Sequence, residues 1–267
     1  MRRLVLLAFA SCSTPPPPTC TGDVIVLAEA PDFSASELGT LSPATGVATM
    51  QAGSLLQDPV LATSQLRHFV ISRKTNVIYE LDGCASPTKQ YSALTVDEVS
   101  ALADADPQDV AVDSNGALWI ARFDLPSILI TSPLQTIDLS AFDADGRPDM
   151  SSVKIIGHHA FVALERLTVV GQNFVSQQPS QVAVLDTDTK ELVKTITLVG
   201  RNPFGQMVVS PETGPTKIWL AEPGNFSDAG ETAAGIETID PLTFASTLVV
   251  SETALGASAV EVAANAS

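Results

Sequence analysis

The stretch that decides the fold is Gln181–Pro223, QVAVLDTDTKELVKTITLVGRNPFGQMVVSPETGPTKIWLAEP. Four apolar runs of strand length lie in it, at Val182–Leu185, Val193–Leu198, Gln206–Ser210 and Ile218–Ala221. Asp186-Thr-Asp-Thr189 and Ser210-Pro-Glu-Thr-Gly214 separate them, and such polar, Gly- and Pro-bearing clusters favour tight turns. No 3.6-residue periodicity runs through the stretch, so four antiparallel strands are expected rather than helices.

Working outward, the last of these runs recurs. Ile25–Glu29, Phe69–Arg73, Leu118–Arg122, Phe161–Glu165 and Ile218–Glu222 align without gaps, each a buried-strand run ending in a charge. A further strand reaching a polar turn follows each one, at Leu41-Ser42, Leu81-Asp82, Ile130-Thr131, Leu185-Asp186 and Ile239-Asp240, spaced by 40, 49, 55 and 54 residues. Another strand comes next, over 47–50, 89–92, 136–139, 193–198 and 247–250. One more precedes the next unit, over 59–62, 109–113, 153–156, 206–210 and 259–263. Repeats of this length built from four short strands predict an all-β propeller of four-stranded antiparallel blades, with five blade units over 24–267.

The units resemble YVTN-type and related seven-bladed propeller repeats, most clearly in 181–223 and in Pro107–Asp124, PQDVAVDSNGALWIARFD. The resemblance implies architecture and leaves activity open, because propellers host unrelated functions. Two readings of the ring follow. The 259–263 strand closes a five-bladed ring beside Ile25–Glu29, or the sequence is a fragment of a seven-bladed one.

Composition agrees with a large core. The 267 residues are 45% hydrophobic, only 5% aromatic and 16% charged, with a formal charge of −16. A disordered acidic chain would carry fewer Val, Ile and Leu, and a disulfide scaffold would be shorter and richer in Cys. An acidic surface without a Lys/Arg stripe repels phosphate backbones, which argues against nucleic acid as a partner.

Ahead of the repeats, Arg2-Arg3, the apolar run Leu4–Ala10 and Ser11-Cys12 have the layout of a secretory signal. They resemble a bacterial lipoprotein signal over 1–11, with Phe9 where that family usually has Leu. The resemblance implies that Cys12 is lipidated and anchors the protein to the cell envelope, at the outer membrane because Ser13 rather than Asp follows it. The alternative is an ordinary signal cleaved near Ala10. The Pro-rich segment within 12–23 reads as a stiff tether. Cleavage after Ser11 leaves a charge of −18 and two cysteines, Cys20 and Cys84. They are expected to form a disulfide, worth about 4 kcal/mol by chain entropy, or to stand as two free thiols.

Strand order puts the tight turns on one face with the tether, Cys20 and Cys84. The long connections 30–36, 95–107, 140–151, 166–180 and 223–234 fall on the opposite face, where binding is expected. On that face Asp143, Asp145 and Asp149, in DADGRPD, have spacing suited to calcium, with a solvated acidic turn as the alternative. Asp104 and Asp106 form a weaker version, read as a plain turn. Arg166, Asn173 and Phe174 are further loop candidates for ligand contact.

No motif of nucleophilic, nucleotide or zinc chemistry occurs, so no catalytic residue is assigned. His68, His158 and His159 are read as turn or edge residues, and Trp119 and Trp219, at one repeat position, as inter-blade packing. The leading functional expectation is a membrane-anchored, non-catalytic binding module for a protein or polysaccharide. The alternative is a propeller hydrolase of lactonase or phytase type with a central divalent cation. That alternative needs inward acids at the first position of the inner strands, where Pro59, Gln108, Ser152 and Gly205 stand instead.

Overall fold

The computed structural model describes residues 24–30, 36–51, 56–210, 216–226 and 231–263. Among them, five antiparallel sheets form the blades of a β-propeller. The first blade holds β1 (Val24–Glu29), β2 (Ser36–Ser42) and β3 (Val47–Met50). The second holds β4 (Pro59–Ser64), β5 (Arg67–Ser72), β6 (Val77–Leu81) and β7 (Pro87–Ser92), followed by helix α1 (Val96–Ser100). The third is β8 (Pro107–Val112), β9 (Leu118–Arg122), β10 (Ser127–Thr131) and β11 (Leu134–Asp138).

The fourth blade is β12 (Met150–Ile156), β13 (His159–Leu164), β16 (Gln181–Asp186) and β17 (Leu192–Thr197), with the hairpin β14 (Thr168–Val170) and β15 (Asn173–Val175) inserted in its long connection. The fifth is β18 (Phe204–Val209), β19 (Ile218–Glu222), β20 (Gly235–Ile239) and β21 (Ser246–Ser251), followed by α2 (Glu252–Leu255).

Sequence explains the strand order within each blade. The second strands of the third and fourth blades carry central apolar runs because both of their faces are covered; all five residues of β9 are buried. Outer strands such as β11, LQTID, expose every other residue, as an edge with one wet face requires. An Asp then shapes the turn into three of the outer strands. Oδ1 of Asp82 accepts from the N–H groups of Cys84 and Ser86, that of Asp186 from Asp188 and Thr189, and that of Asp240 from Leu242 and Thr243.

Four hydrophobic clusters join successive blades. The largest sets Trp119, Ile128 and Ile130 of the third blade against Met150, Val153 and Val162 of the fourth. The other three join the first to the second, the second to the third, and the fourth to the fifth. The two tryptophans therefore differ. Trp119 is buried between blades and donates from Nε1 to Asp113 Oδ2 at 3.2 Å, as expected of packing. Trp219 is half-buried in the fifth blade, outside every cluster, and its Nε1 has no partner.

Hydrogen bonds stitch the inner strands around the axis. Val112 N–H donates to Ser64 Oγ at 2.9 Å, linking β8 to β4. Asp109 Oδ2 takes Ser152 Oγ at 2.6 Å, Val153 N–H at 3.1 Å and Lys154 Nζ at 2.8 Å, linking β8 to β12. Ser152 Oγ also accepts from Met207 N–H at 2.9 Å, linking β12 to β18. Gln206 Nε2 then donates to the Leu61 carbonyl at 2.7 Å, which returns from β18 to β4 and completes the circuit.

One expected strand is replaced. Residues 258–263 are irregular, and among the described residues β1 pairs only with β2. The reason is local: buried Glu252 accepts the Ala259 N–H through Oε1 at 3.0 Å, and α2 ends at Gly256 in the left-handed region. The backbone that was expected to run beside Ile25–Glu29 is turned onto its own helix.

Candidate functional site

The charges that end the second strands all reach the face of the long connections, where the inner strands begin. Their fates differ from blade to blade. Arg122 is fully buried, donating from Nε to the Ser127 carbonyl at 2.8 Å and from Nη1 to Glu98 Oε2 at 2.8 Å, so it fastens α1 to the third blade. Glu222 is buried with neither carboxyl oxygen receiving a donor. Burial, then the neighbouring Glu237, pushes it well above the usual carboxylate range, while Glu237 accepts the Val199 and Gly200 N–H groups at 3.0 and 2.8 Å. Glu29 is raised mainly by burial and secondly by Asp58.

Arg73 and Glu165 do something else: they line a cavity of about 310 Å³ at the mouth of the ring. Its walls also carry Asp106, Gln108, Asn202, Asn225 and four phenylalanines, Phe123, Phe174, Phe204 and Phe226. The rings stand in two edge-to-face pairs, Phe123 with Phe174 at 5.7 Å between centroids and Phe204 with Phe226 at 5.1 Å. In a chain with ten Phe this is a concentration, and Phe174, Phe204 and Phe226 are 60%, 43% and 55% exposed. Exposed aromatic rings grouped around a concavity mark binding surfaces.

The polar groups of the cavity are mostly acceptors without donors. Asp106 Oδ1 and Asn202 Oδ1 are buried and have no hydrogen-bond partner. Asn202 Nδ2 donates to the Gly224 carbonyl at 2.8 Å, which identifies the unpartnered end of the amide as its oxygen. Glu165 is buried, at 4% exposed. Burial, then Asp149 and Asp106, pushes Glu165 well above the usual carboxylate range, and burial raises Asp106 to about 6. Arg73, the cation in the wall, is engaged: it forms an ion pair with Asp58 and donates from Nη1 to Gln108 Oε1 at 3.1 Å.

Backbone bonds hold the acidic wall in place. The Asp149 carbonyl accepts the Glu165 N–H at 3.0 Å. Ser180 Oγ donates to the Glu165 carbonyl at 2.9 Å and accepts the Asn202 N–H at 2.8 Å, so one hydroxyl spaces the two cavity residues.

The expected calcium loop is organised otherwise. Asp143 Oδ2 accepts Gln178 Nε2 at 2.8 Å, Asp145 Oδ1 accepts the Arg147 N–H at 2.8 Å, and Asp149 Oδ2 accepts the Leu167 N–H at 2.7 Å. No group of three or more His, Cys, Asp or Glu suited to a metal ion occurs among the described residues. Asp106, read as a plain turn, is instead a cavity residue. Arg166 braces loops by donating to the Phe142 and Pro179 carbonyls at 2.8 and 2.7 Å, while Phe174 does line the cavity. The histidines lie elsewhere: His158 against Asp188 at 2.9 Å, His68 against Thr63 at 3.3 Å, and His159 against Phe244. Cys84, on the opposite face, is disulfide-bonded. Cys12 and Cys20 lie outside the described residues.

Comparison with known proteins bears on the fold. No protein-family model matches the chain, and no curated protein matches it in sequence. Among solved structures it is similar to virginiamycin B lyase from Staphylococcus aureus, with a TM-score of 0.51 and 10% identity, covering 85% of this chain and 71% of that one. It is also similar to a streptogramin B lyase, with a TM-score of 0.54 and 14% identity, covering 85% and 67%. At such identity the likeness is one of β-propeller fold.

Proposed function

We propose that the chain is a ligand-binding propeller whose site is the phenylalanine-rimmed cavity at the mouth of the ring. The observation that supports it is the combination of three exposed aromatic rings with buried acceptors that no donor among the described residues satisfies. Unfilled buried acceptors are costly, so they are kept where a ligand supplies the donors. A cavity of about 310 Å³ suits a small molecule, or one group projecting from a protein or polysaccharide partner. In this reading lipid on Cys12 and the 12–23 tether hold the protein at the cell envelope, with the cavity on the face away from the membrane. The hydrolytic alternative, with a central divalent cation, has less support because its carboxylate ligands would have to converge.

The test is a thermal-shift screen of a small-molecule collection against the protein and Phe204→Ala. Because Phe204 sits at the rim and is partly exposed, the variant is expected to fold. Compounds that stabilise the parent and lose their effect in the variant are expected. If no compound raises the melting temperature, or every shift is the same in both, the cavity is not the site.

A further inference from the structure

Resting on the cavity as the binding site, we propose that its ligand is an organic ammonium ion: a primary amine carried on an apolar or aromatic body. The count of hydrogen-bonding groups leads there. Asp106 Oδ1 and Asn202 Oδ1 are buried acceptors without a donor among the described residues, the Glu165 carboxyl in the same wall becomes a further acceptor on ionisation, and a primary ammonium carries three N–H donors and accepts none. An anion would meet the same acceptors, and Arg73, the one cation among the described residues of the wall, is already held by Asp58 and Gln108. The four phenylalanine rings offer an apolar wall whose π faces attract a cation. A bare metal ion fits less well, since no suitable group of three ligand side chains occurs among the described residues.

Binding of such a ligand is coupled to protons. The Glu165 carboxyl faces Asp149 and Asp106, and Asp106 faces Arg73, Lys74, Asp124 and Asp58. Burial, then Asp149 and Asp106, favours the protonated form of Glu165 in the empty cavity, and Asp106 is partly protonated near pH 6. An ammonium placed against them favours their ionised forms, so the complex releases protons and tightens as pH rises through that range. A neutral alcohol of the same shape has no such effect.

Isothermal titration calorimetry with 2-phenylethylammonium, 2-phenylethanol and 3-phenylpropionate tests this on the parent protein and on Glu165→Gln. Each titration is run at pH 6 in two buffers of different ionisation enthalpy. The amine is expected to bind with net proton release, the alcohol about tenfold or more weakly, and the carboxylate not detectably. Glu165→Gln should weaken the amine by about tenfold, reduce the proton release and leave the alcohol unchanged; Asp106→Asn serves in its place if Glu165→Gln fails to fold. The inference is overturned if the amine does not bind at millimolar concentration, if the alcohol or carboxylate binds as tightly as the amine, or if both carboxyl variants leave the amine's affinity unchanged. Repeating the titrations with Phe204→Ala separates the two claims. Alcohol or carboxylate binding that is lost in that variant removes the ammonium preference and retains the cavity, whereas amine binding that survives it removes both.

Discussion

Asp149 and Leu167 are joined across the root of the loop that presents Glu165, with Asp149 Oδ2 accepting the Leu167 N–H at 2.7 Å. Asp149 itself stands in the left-handed region at a φ of 52°, where Asp and Asn are tolerated better than most residues. Asp149→Ala leaves a buried N–H without its acceptor and is expected to cost about 1–2 kcal/mol, read by denaturant unfolding. Asp149→Asn retains a carbonyl acceptor and, near pH 4 where Asp149 is protonated, should fall within about 0.5 kcal/mol of the parent. Calcium binding at this loop would compete with the Leu167 bond; millimolar calcium is therefore expected to leave the melting temperature unchanged. A rise that vanishes in Asp149→Asn would restore a cation role to Asp143, Asp145 and Asp149.

Stability should also depend on pH in a defined direction. Burial raises Asp149 to about 7 and Asp106 to about 6, and holds Glu165 and Glu222 well above the usual carboxylate range. For an acid raised on folding, the native state binds the extra proton, so stability is greatest at low pH and falls as pH rises between the unfolded and folded values. From these groups the protein is expected to lose stability between about pH 4 and 7. Two groups act oppositely: the Arg67 guanidinium holds Glu80 at about 2, and Lys217 holds Asp240 at about 2. Their contribution is present above the ordinary carboxylate range and is lost as pH falls toward 2. Thermal melts across pH 3–8 should thus peak on the acid side of neutrality, and Asp149→Asn should flatten the fall toward pH 7. A maximum at pH 8 would contradict the assignment.

The inner-strand circuit gives a third expectation. Asp109 is fully buried, and its carboxylate gathers Ser152, Val153 and Lys154 of the next blade. Asp109→Ala strands an ammonium and an N–H at a blade junction, which should cost about 3 kcal/mol or more. Arg67→Ala breaks a pair that is partly open to water, so its loss should be about 1 kcal/mol. Urea midpoints of the two variants compare the effects directly.

The proposed anchor rests on Cys12. In an expressing bacterial host, radiolabelled palmitate is expected to enter the full-length chain and to be lost in Cys12→Ser. Incorporation that persists in the variant would remove the lipoprotein reading.

Most of the blade architecture was legible because the second strands of the second, third and fourth blades have cores covered on both faces. Phe69–Arg73, Leu118–Arg122 and Phe161–Glu165 therefore read as continuous apolar runs, and the strands fall within a few residues of expectation. Helix α1 escaped notice although its capping box is visible in sequence: Thr95 Oγ1 accepts the Glu98 N–H, and Glu98 Oε2 accepts the Thr95 N–H. The β14–β15 hairpin and the course of 258–263 depend on side chains meeting at a distance in sequence, such as Glu252 with Ala259. The cavity had a partial signal in the strand-end charges, with Phe123 directly after Arg122 and Phe226 soon after Glu222. What sequence lacked was the fate of each charge. Arg122 and Glu165 occupy one repeat position, yet one is buried in structure and the other stands in a cavity wall.

The most direct test of the cavity is an NMR titration of ring-13C-labelled phenylalanine with 2-phenylethylammonium. Phe123, Phe174, Phe204 and Phe226 are expected to shift in a saturable manner, while Phe69, Phe161 and Phe244, packed between blades, stay fixed. Saturable shifts confined to rings outside the cavity, or none at all at millimolar ligand, would contradict the assignment of the ring's mouth as the binding site.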